Sequence, residues 1–347
     1  MKLAIIFGGS SFEHEISIVS AITLKGVIKG INLEFIFVDA NRDFYLIEVN
    51  DMKSKFFSSK EYLKKAKKLE ISKGGFFASG LFGNKKVEFD VALNLIHGRD
   101  GEDGKLASLL EFFDIKYIGP RVEASVISYN KLYTKLYANY LGIKVIDYKV
   151  LSVDDSRDLD LEYPVIIKPL RLGSSIGVSI IKSKDELDYA LDVAFEFDNQ
   201  VLIEPFIEGI KEYNLAGTYA NGWHLSIIEE PTKEEFLDFD KKYLDFSRDE
   251  RVNRANIDEA LEEKIKESFK KVYRHTFEGA IIRCDFFVID NEVYLNEINP
   301  IPGSMANYLF DDFNNILSLV ATNLPTSKNI KIDYLYINNI QKAKGKA

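Results

Sequence analysis

The run LAIIF at residues 3–7 is apolar throughout and is followed at once by Gly8-Gly9 and then by Ser10 and Glu13. A strand with no polar face must be covered on both sides, as in the middle of a parallel sheet. The glycine pair turns the chain, and the Ser10/Glu13 spacing fits a capping box that opens a helix. The signal recurs at FIFVDA (35–40), VALNLIHG (91–98) and IKYIGP (115–120). Strands alternating with helices predict an open α/β domain over residues 1–120. The lysine-rich stretch 51–73, part of an insertion spanning 51–85, reads as an exposed helix or insertion without an assigned function.

A chain of 347 residues exceeds one ordinary core, so further domains are expected. SYNKLYTKLYANYLG (128–142) predicts a helix with Leu132 and Leu136 on its apolar face and Gly142 at its end. PVIIKPLRLGSSIGVSII predicts a strand, a glycine-rich loop and a strand. Ser183 with Glu186 fits a second capping box, before a helix carrying Leu187, Leu191 and Ala194, and VLIEPFIEG (201–209) reads as a strand. Residues 121–205 therefore form a small α+β unit. The remainder, 206–347, holds a charged loop near 238–257, a helix at 258–275 with Leu261, Ile265, Phe269 and Val272 on one face, and a hairpin. The tail QKAKGKA reads as disordered.

A formal net charge of −9 argues against a nucleic-acid partner. The single cysteine, Cys284, excludes an internal disulfide and suits a reducing cytoplasm. The opening MKLAIIFGGS is too short for a signal peptide, and no later apolar run is long enough to span a bilayer, so no membrane partner is expected.

The hairpin carries the chemistry. IIRCDFFVID and NEVYLNEIN are apolar runs interrupted by Asp285, Glu297 and Asn299. Glu297 and Asn299 share one strand face by period-2 alternation. Asp285 joins them if it stands opposite an odd-numbered position, which an odd loop such as Asp290-Asn291-Glu292 would provide. Three hard oxygen donors then converge, a set that suits Mg²⁺ together with substrate phosphates. The competing readings are a solvated face or an ion pair between Asp285 and Arg283.

The chain has no GxxxxGK[ST], no HExxH and no dinucleotide fingerprint. Lys168, however, ends the strand PVIIK and precedes LGSSIG. Glycines let backbone amides approach phosphates, and the lysine adds a mobile positive charge; an ordinary hairpin turn is the alternative. Lys131, on the preceding helix, is a second candidate phosphate contact.

Two lysines, a glycine loop and an acidic E-x-N hairpin resemble the ATP-grasp superfamily. Within it, the chain resembles the D-alanine–D-alanine ligases along nearly its whole length. The segments that carry the likeness are GGSSFEHEIS (8–17), HGRDGEDG (97–104), Asn130-Lys131, VIIKPLRLGSSIGVS (165–179), VLIEPF (201–206), KKYLD (241–245), IIRCDFF (281–287) and NEINPIPGS (296–304).

The resemblance implies an ATP-grasp fold behind an N-terminal open α/β domain, and an ATP-dependent ligation of two D-alanine molecules in the cytoplasm for peptidoglycan synthesis. It implies that Lys131 and Lys168 bind ATP phosphates, that Glu204 and Glu212 hold adenine and ribose, and that Lys242 contacts the nucleotide. Asp285, Glu297 and Asn299 would bind two Mg²⁺, with Mn²⁺ able to substitute. Glu13 would hold the ammonium of the first D-alanine, with His97 beside it. Ser174 would join Glu13 and Tyr243 in a hydrogen-bonded set that steadies a closing loop. Arg283 and the Gly303 amide would stabilise an oxyanion, and the protein would be a homodimer.

Taken by themselves, Glu13 fits an N3 capping residue and His97 a loop histidine. The sequence also departs from the family pattern. Tyr308 stands where many members carry a serine that helps hold the second substrate's carboxylate, so Tyr308 or Ser304 must supply that hydroxyl. Two other activities fit the fold: a D-alanine–D-lactate ligase, which Tyr243 argues against, and an ATP-binding protein without ligase activity, which the joint presence of Arg283, Asp285, Glu297 and Asn299 argues against.

Overall fold

A computed structural model describes residues 1–80, 83–231, 254–326, 328 and 330–343. Lys242 and Tyr243, with most of the charged loop 238–257, lie outside the described residues.

The first sheet contains β1 (Lys2–Gly8), β2 (Asn32–Val38), β3 (Phe44–Ile47), β4 (Lys67–Ser72), β5 (Gly75–Ala78), β6 (Lys85–Lys86), β7 (Val91–Asn94) and β8 (Tyr117–Ile118). Their spatial order is β6-β5-β4-β3-β2-β1-β7-β8. β2, β1, β7 and β8 run parallel, and Leu3 to Phe7 are buried to the last residue because both faces are covered. β3 to β6 extend the sheet antiparallel. The insertion is therefore more than an exposed helix. Its short helices Ser54–Ser58 and Tyr62–Lys65 turn Phe56, Phe57 and Tyr62 into the core, and its strands bury Leu69 and Phe76 while lysines face outward.

A second sheet contains β9 (Lys149–Ser152), β10 (Val165–Pro169), β11 (Ser179–Ile181) and β12 (Gln200–Pro205) in the order β11-β10-β12-β9. Helix Leu187–Phe195 covers it with Leu187, Ala190, Leu191 and Ala194. A third sheet contains β13 (Lys211–Tyr219), β14 (Trp223–Glu229), β15 (Ile282–Ile289) and β16 (Glu292–Asn299) in the order β14-β13-β15-β16. Helix Glu259–Tyr273 backs it with Leu261, Ile265, Phe269 and Val272. Its N-terminus is capped by Asp258, whose carboxylate accepts from the Leu261 amide at 2.8 Å.

Two of the cores cross the sequence divisions at 120 and 205. Ala124, Ala138 and Ile143 pack with the third sheet, while Ile301, Met305, Phe313 and Leu317 pack against the first. Among the described residues no helix is long and apolar enough to cross a membrane.

Four local expectations are corrected. The predicted helix 128–142 is two helices, Val122–Tyr129 and Lys131–Tyr140, because Asn130 leaves helical geometry and its side chain accepts from the Leu132 and Tyr133 amides. Its buried face carries Thr134, Lys135 and Ala138, whereas Leu136 is exposed. Neither capping box closes. Glu13 is itself the N-cap of helix His14–Val27, with its carboxylate committed elsewhere, and Ser183 makes no side-chain cap bond although Glu186 accepts from the Lys182 amide. Of the tail QKAKGKA, Gln341 to Ala343 end an exposed helix, Ile337–Ala343, and residues 344–347 lie outside the described residues.

Candidate active site

The acidic hairpin brings its predicted residues to one face by a different route from the one expected. Ile289 pairs with Glu292 across a two-residue turn, with Asp290 and Asn291 both at positive φ (49° and 63°). That turn twists with the strands and is favoured by the Asp-Asn pair. By itself it would set Asp285 opposite an even-numbered residue. A bulge corrects the parity: Phe286 pairs with Leu295 and Asp285 with Glu297, leaving Asn296 as the extra residue. Arg283 stands opposite Asn299. Four candidate side chains thus share a face.

On that face Arg283 forms a two-pronged pair with Asp285, Nε to Oδ1 at 2.7 Å and Nη2 to Oδ2 at 2.8 Å. Asn299 donates its amide to Asp285 Oδ2 at 2.9 Å. Burial opposes the guanidinium charge, but Asp285 outweighs it and holds Arg283 protonated well above the ordinary value. The Arg283–Asp285 pair expected as an alternative to metal binding is therefore present. Lys131 Nζ lies 3.7 Å from Glu297 Oε1 and also reaches the Leu172 carbonyl in the glycine-rich loop. Among the described residues no group of three or more His, Cys, Asp or Glu could hold a metal alone. Two carboxylates and an amide oxygen are nevertheless the donors that fit Mg²⁺, which keeps waters and substrate phosphates in its remaining positions.

The first sheet contributes Glu13 and His97, both buried. Ser174, in the loop after β10, donates its hydroxyl to Glu13 Oε1 across the gap between two sheets. Among the described residues Glu13 Oε2 has no hydrogen-bond donor. Burial, helped by Glu102, raises the Glu13 pKa to about 7. A Cβ at Gly98 would stand 2.4 Å from Glu13 Oε2, and one at Gly173 would stand 3.2 Å from Oε1. A side chain at Gly98 would displace this carboxylate, and one at Gly173 would press on it.

His97 Nε2 is 2.9 Å from Ser20 Oγ, which also accepts from the Ser304 amide at 3.2 Å. This links His97 to the segment that follows Gly303. There Ser304, Met305 and Ala306 all have positive φ (47°, 56° and 49°), a conformation that side-chain-bearing residues adopt only when held in place. Burial lowers the His97 pKa to about 4, so the ring is neutral near pH 7.

At the other end, Glu204 lies between two lysines, Lys168 Nζ at 2.8 Å from Oε2 and Lys135 Nζ at 2.6 Å from Oε1. Burial pushes Glu204 up, but Lys168 and Lys135 outweigh it and hold the carboxyl below its ordinary value. Ile146, Ile166, Lys168, Glu204, Phe206, Ile210 and Phe287 line an apolar slot between the second and third sheets. Glu212 lies on β13 two residues before Asn214.

Residues 2–120 match the family model described as D-ala D-ala ligase N-terminus, and residues 138–314 match D-ala D-ala ligase C-terminus. The chain belongs to the D-alanine–D-alanine ligase family. It is 63% identical over all 347 residues to a D-alanine–D-alanine ligase of a Sulfurovum species, covering 100% of each chain. It is equally similar, 63% over 347 residues with 100% of both covered, to the D-alanine–D-alanine ligase of Wolinella succinogenes. The crystal structure of the Helicobacter pylori D-alanine–D-alanine ligase superposes with a TM-score of 0.84 at 52% identity, covering 94% of this chain and 100% of that one.

Four residues of this ligase-family site escaped the sequence reading. Lys135 lies between Leu132 and Leu136 in sequence and carries no local signal. Ser20 was one hydroxyl in an ordinary amphipathic helix. Glu102, within HGRDGEDG, lies 3.7 Å from His97 Nδ1 by its Oε1, and burial raises its pKa to about 8. Asn214 lies between acids: its amide nitrogen reaches Glu229 Oε2 at 3.4 Å, and with the amide turned over it would donate to Glu212 Oε1 at 3.2 Å and Asp285 Oδ1 at 3.1 Å. Its partner Asp285 in the β13–β15 register was the available signal, and only strand order reveals it. Tyr308 lies against Arg283, with its ring partly exposed.

Proposed function

We propose that this chain joins two D-alanine molecules into D-alanyl-D-alanine at the expense of ATP, supplying peptidoglycan synthesis. The observation that carries the reading is Glu13 Oε2, a buried carboxylate oxygen without a donor among the described residues, on a side chain whose other oxygen is held by Ser174. A buried anionic oxygen calls for a charged donor, and the ammonium of an amino acid supplies one. Family membership at 63% identity favours this activity over ester formation or nucleotide binding without chemistry.

In this reading the first D-alanine sits with its ammonium on Glu13 and neutral His97 beside it. A carboxylate is a poor acyl donor because its leaving group would be oxide. The γ-phosphoryl group of ATP is therefore transferred to the substrate carboxylate, with Lys131 and Lys168 orienting the phosphates. Glu204 and Glu212 hold the nucleoside, and Lys242 adds a nucleotide contact. Asp285, Glu297 and Asn299 hold two Mg²⁺, for which Mn²⁺ can substitute. When bound, the metals supply charge neutralisation on the phosphoryl oxygens. The amine of the second D-alanine attacks the carbonyl carbon, the bond to phosphate breaks, and the amine loses its proton. Arg283 and the Gly303 amide stabilise the oxyanion, and Tyr308 or Ser304 meets the second carboxylate. Tyr243 joins Ser174 and Glu13 to close the site against water.

The family supports a cytoplasmic homodimer, which gel filtration with light scattering tests. The activity is tested by ADP and phosphate release with D-alanine alone, against D-alanine plus D-lactate. Release with D-alanine alone and a dipeptide product is expected. Product containing D-lactate in preference to dipeptide, or no D-alanine-dependent release, would overturn the reading.

A further inference from the structure

Lys135 is buried at 1% exposure and lies one helical turn beyond Lys131, on the same side of helix Lys131–Tyr140. Its ammonium contacts Glu204 Oε1 at 2.6 Å and the Ile146 carbonyl at 3.2 Å, and it lies 5.3 Å from the centre of the Tyr148 ring. These contacts engage the ammonium within the protein. A lysine is seldom enclosed unless its charge is compensated.

What Lys135 can control is Glu204. With Lys168 on one oxygen and Lys135 on the other, the carboxylate is fixed in orientation and kept ionised, so it is an acceptor only. Glu204 and Lys168 are the charged groups on the wall of a slot whose other lining residues, among them Ile146, Ile166, Phe206 and Phe287, are apolar. The apolar faces of a flat heteroaromatic ring match the chemistry of that lining. An edge that presents an N–H donor gains a hydrogen bond there, and an edge that presents a carbonyl meets a negative charge.

We infer that Lys135 is a positioning residue that sets nucleobase choice, holding Glu204 as an ionised acceptor so that the slot selects a 6-amino purine over a 6-oxo purine. The inference rests on the ATP-dependent reading above. It extends that reading to a residue enclosed within the protein. Without Lys135, Glu204 loses one of its two cations and can take up a proton or turn, and a protonated carboxyl donates to a carbonyl.

The test is direct binding of ATP and of inosine triphosphate by calorimetry, which requires no ligation. Lys135→Met is expected to weaken ATP binding about tenfold and to leave inosine triphosphate within about twofold, because a site that loses its matched acceptor loses discrimination. A purely structural role would weaken both nucleotides alike, and that outcome overturns the inference. Should Lys135→Met fail to fold, Lys135→Met combined with Glu204→Gln removes both charges of that pair at once and is compared with Glu204→Gln alone. Equal nucleotide ratios in those two proteins support the inference, and unequal ratios overturn it. Absence of D-alanine-dependent ADP release from the unaltered protein would defeat the ligase reading, while the binding ratios would still judge Lys135.

Discussion

Ser174, in the glycine-rich loop of the second sheet, donates its hydroxyl to Glu13 at the start of the first sheet's leading helix, 161 residues away in the chain. One bond thus ties the loop proposed to cover phosphates to the carboxylate proposed to hold substrate. Ser174→Ala removes a single charge-assisted donor and opens no cavity, so the fold is expected to persist. A bond of this kind contributes about 1.5–3 kcal/mol, which corresponds to a KM for the first D-alanine raised at least about tenfold. Steady-state kinetics at saturating ATP measure it. An unchanged KM would remove the bond from substrate binding.

The Glu13 pKa of about 7 has a consequence for pH. An ammonium is held by the ionised carboxylate, and ionisation requires pH above that value. KM for the first D-alanine should therefore fall as pH rises from 6 to 8, where Glu102, at about 8, also titrates and couples to it. Glu13→Gln should abolish most of the trend and most of the affinity. A flat profile in the unaltered protein would show that Glu13 is already ionised at pH 6.

Gly98 is the sharpest steric test. Its φ is +68°, and an added Cβ would lie 2.4 Å from Glu13 Oε2 and 2.6 Å from Ser11 Oγ. Gly98→Ala should block D-alanine while leaving ATP binding within about twofold, because the slot lined by Glu204 lies elsewhere. Calorimetric titration with each ligand separates the two. Equal losses would indicate a general disturbance of the fold.

Glu297→Gln keeps volume and removes charge at the residue paired with Asp285 and facing Lys131. Turnover should fall by more than about a hundredfold at saturating Mg²⁺, since a neutral amide cannot compensate metal charge. Circular dichroism should be unchanged. Near-normal turnover would exclude Glu297 as a metal ligand.

Asp258→Ala offers a contrast far from the chemistry. It deletes the N-cap of the helix behind the third sheet. The cost should be about 1 kcal/mol, read as a lower thermal midpoint, with both KM values unchanged.

The strands, the glycine loop and the capped helix Glu259–Tyr273 were legible in the sequence because their signals are local: apolar runs, periodicity and turn residues act within a few positions. The family likeness drew on the same economy, since each motif is a short segment whose chemistry needs its neighbours. What tertiary structure decided are relationships between distant segments. Asp285 faces Glu297 only because a bulge at Asn296 shifts the register, and no residue type announces a bulge. Glu13 looked like a capping residue because its spacing from Ser10 is right; packing brought Ser174 close enough to claim the carboxylate instead. Lys135 carries no local signal of its own, and only packing encloses it beside Glu204. Local physics is written in neighbouring residues, whereas the pairing of buried charges depends on which surfaces the folded chain presses together.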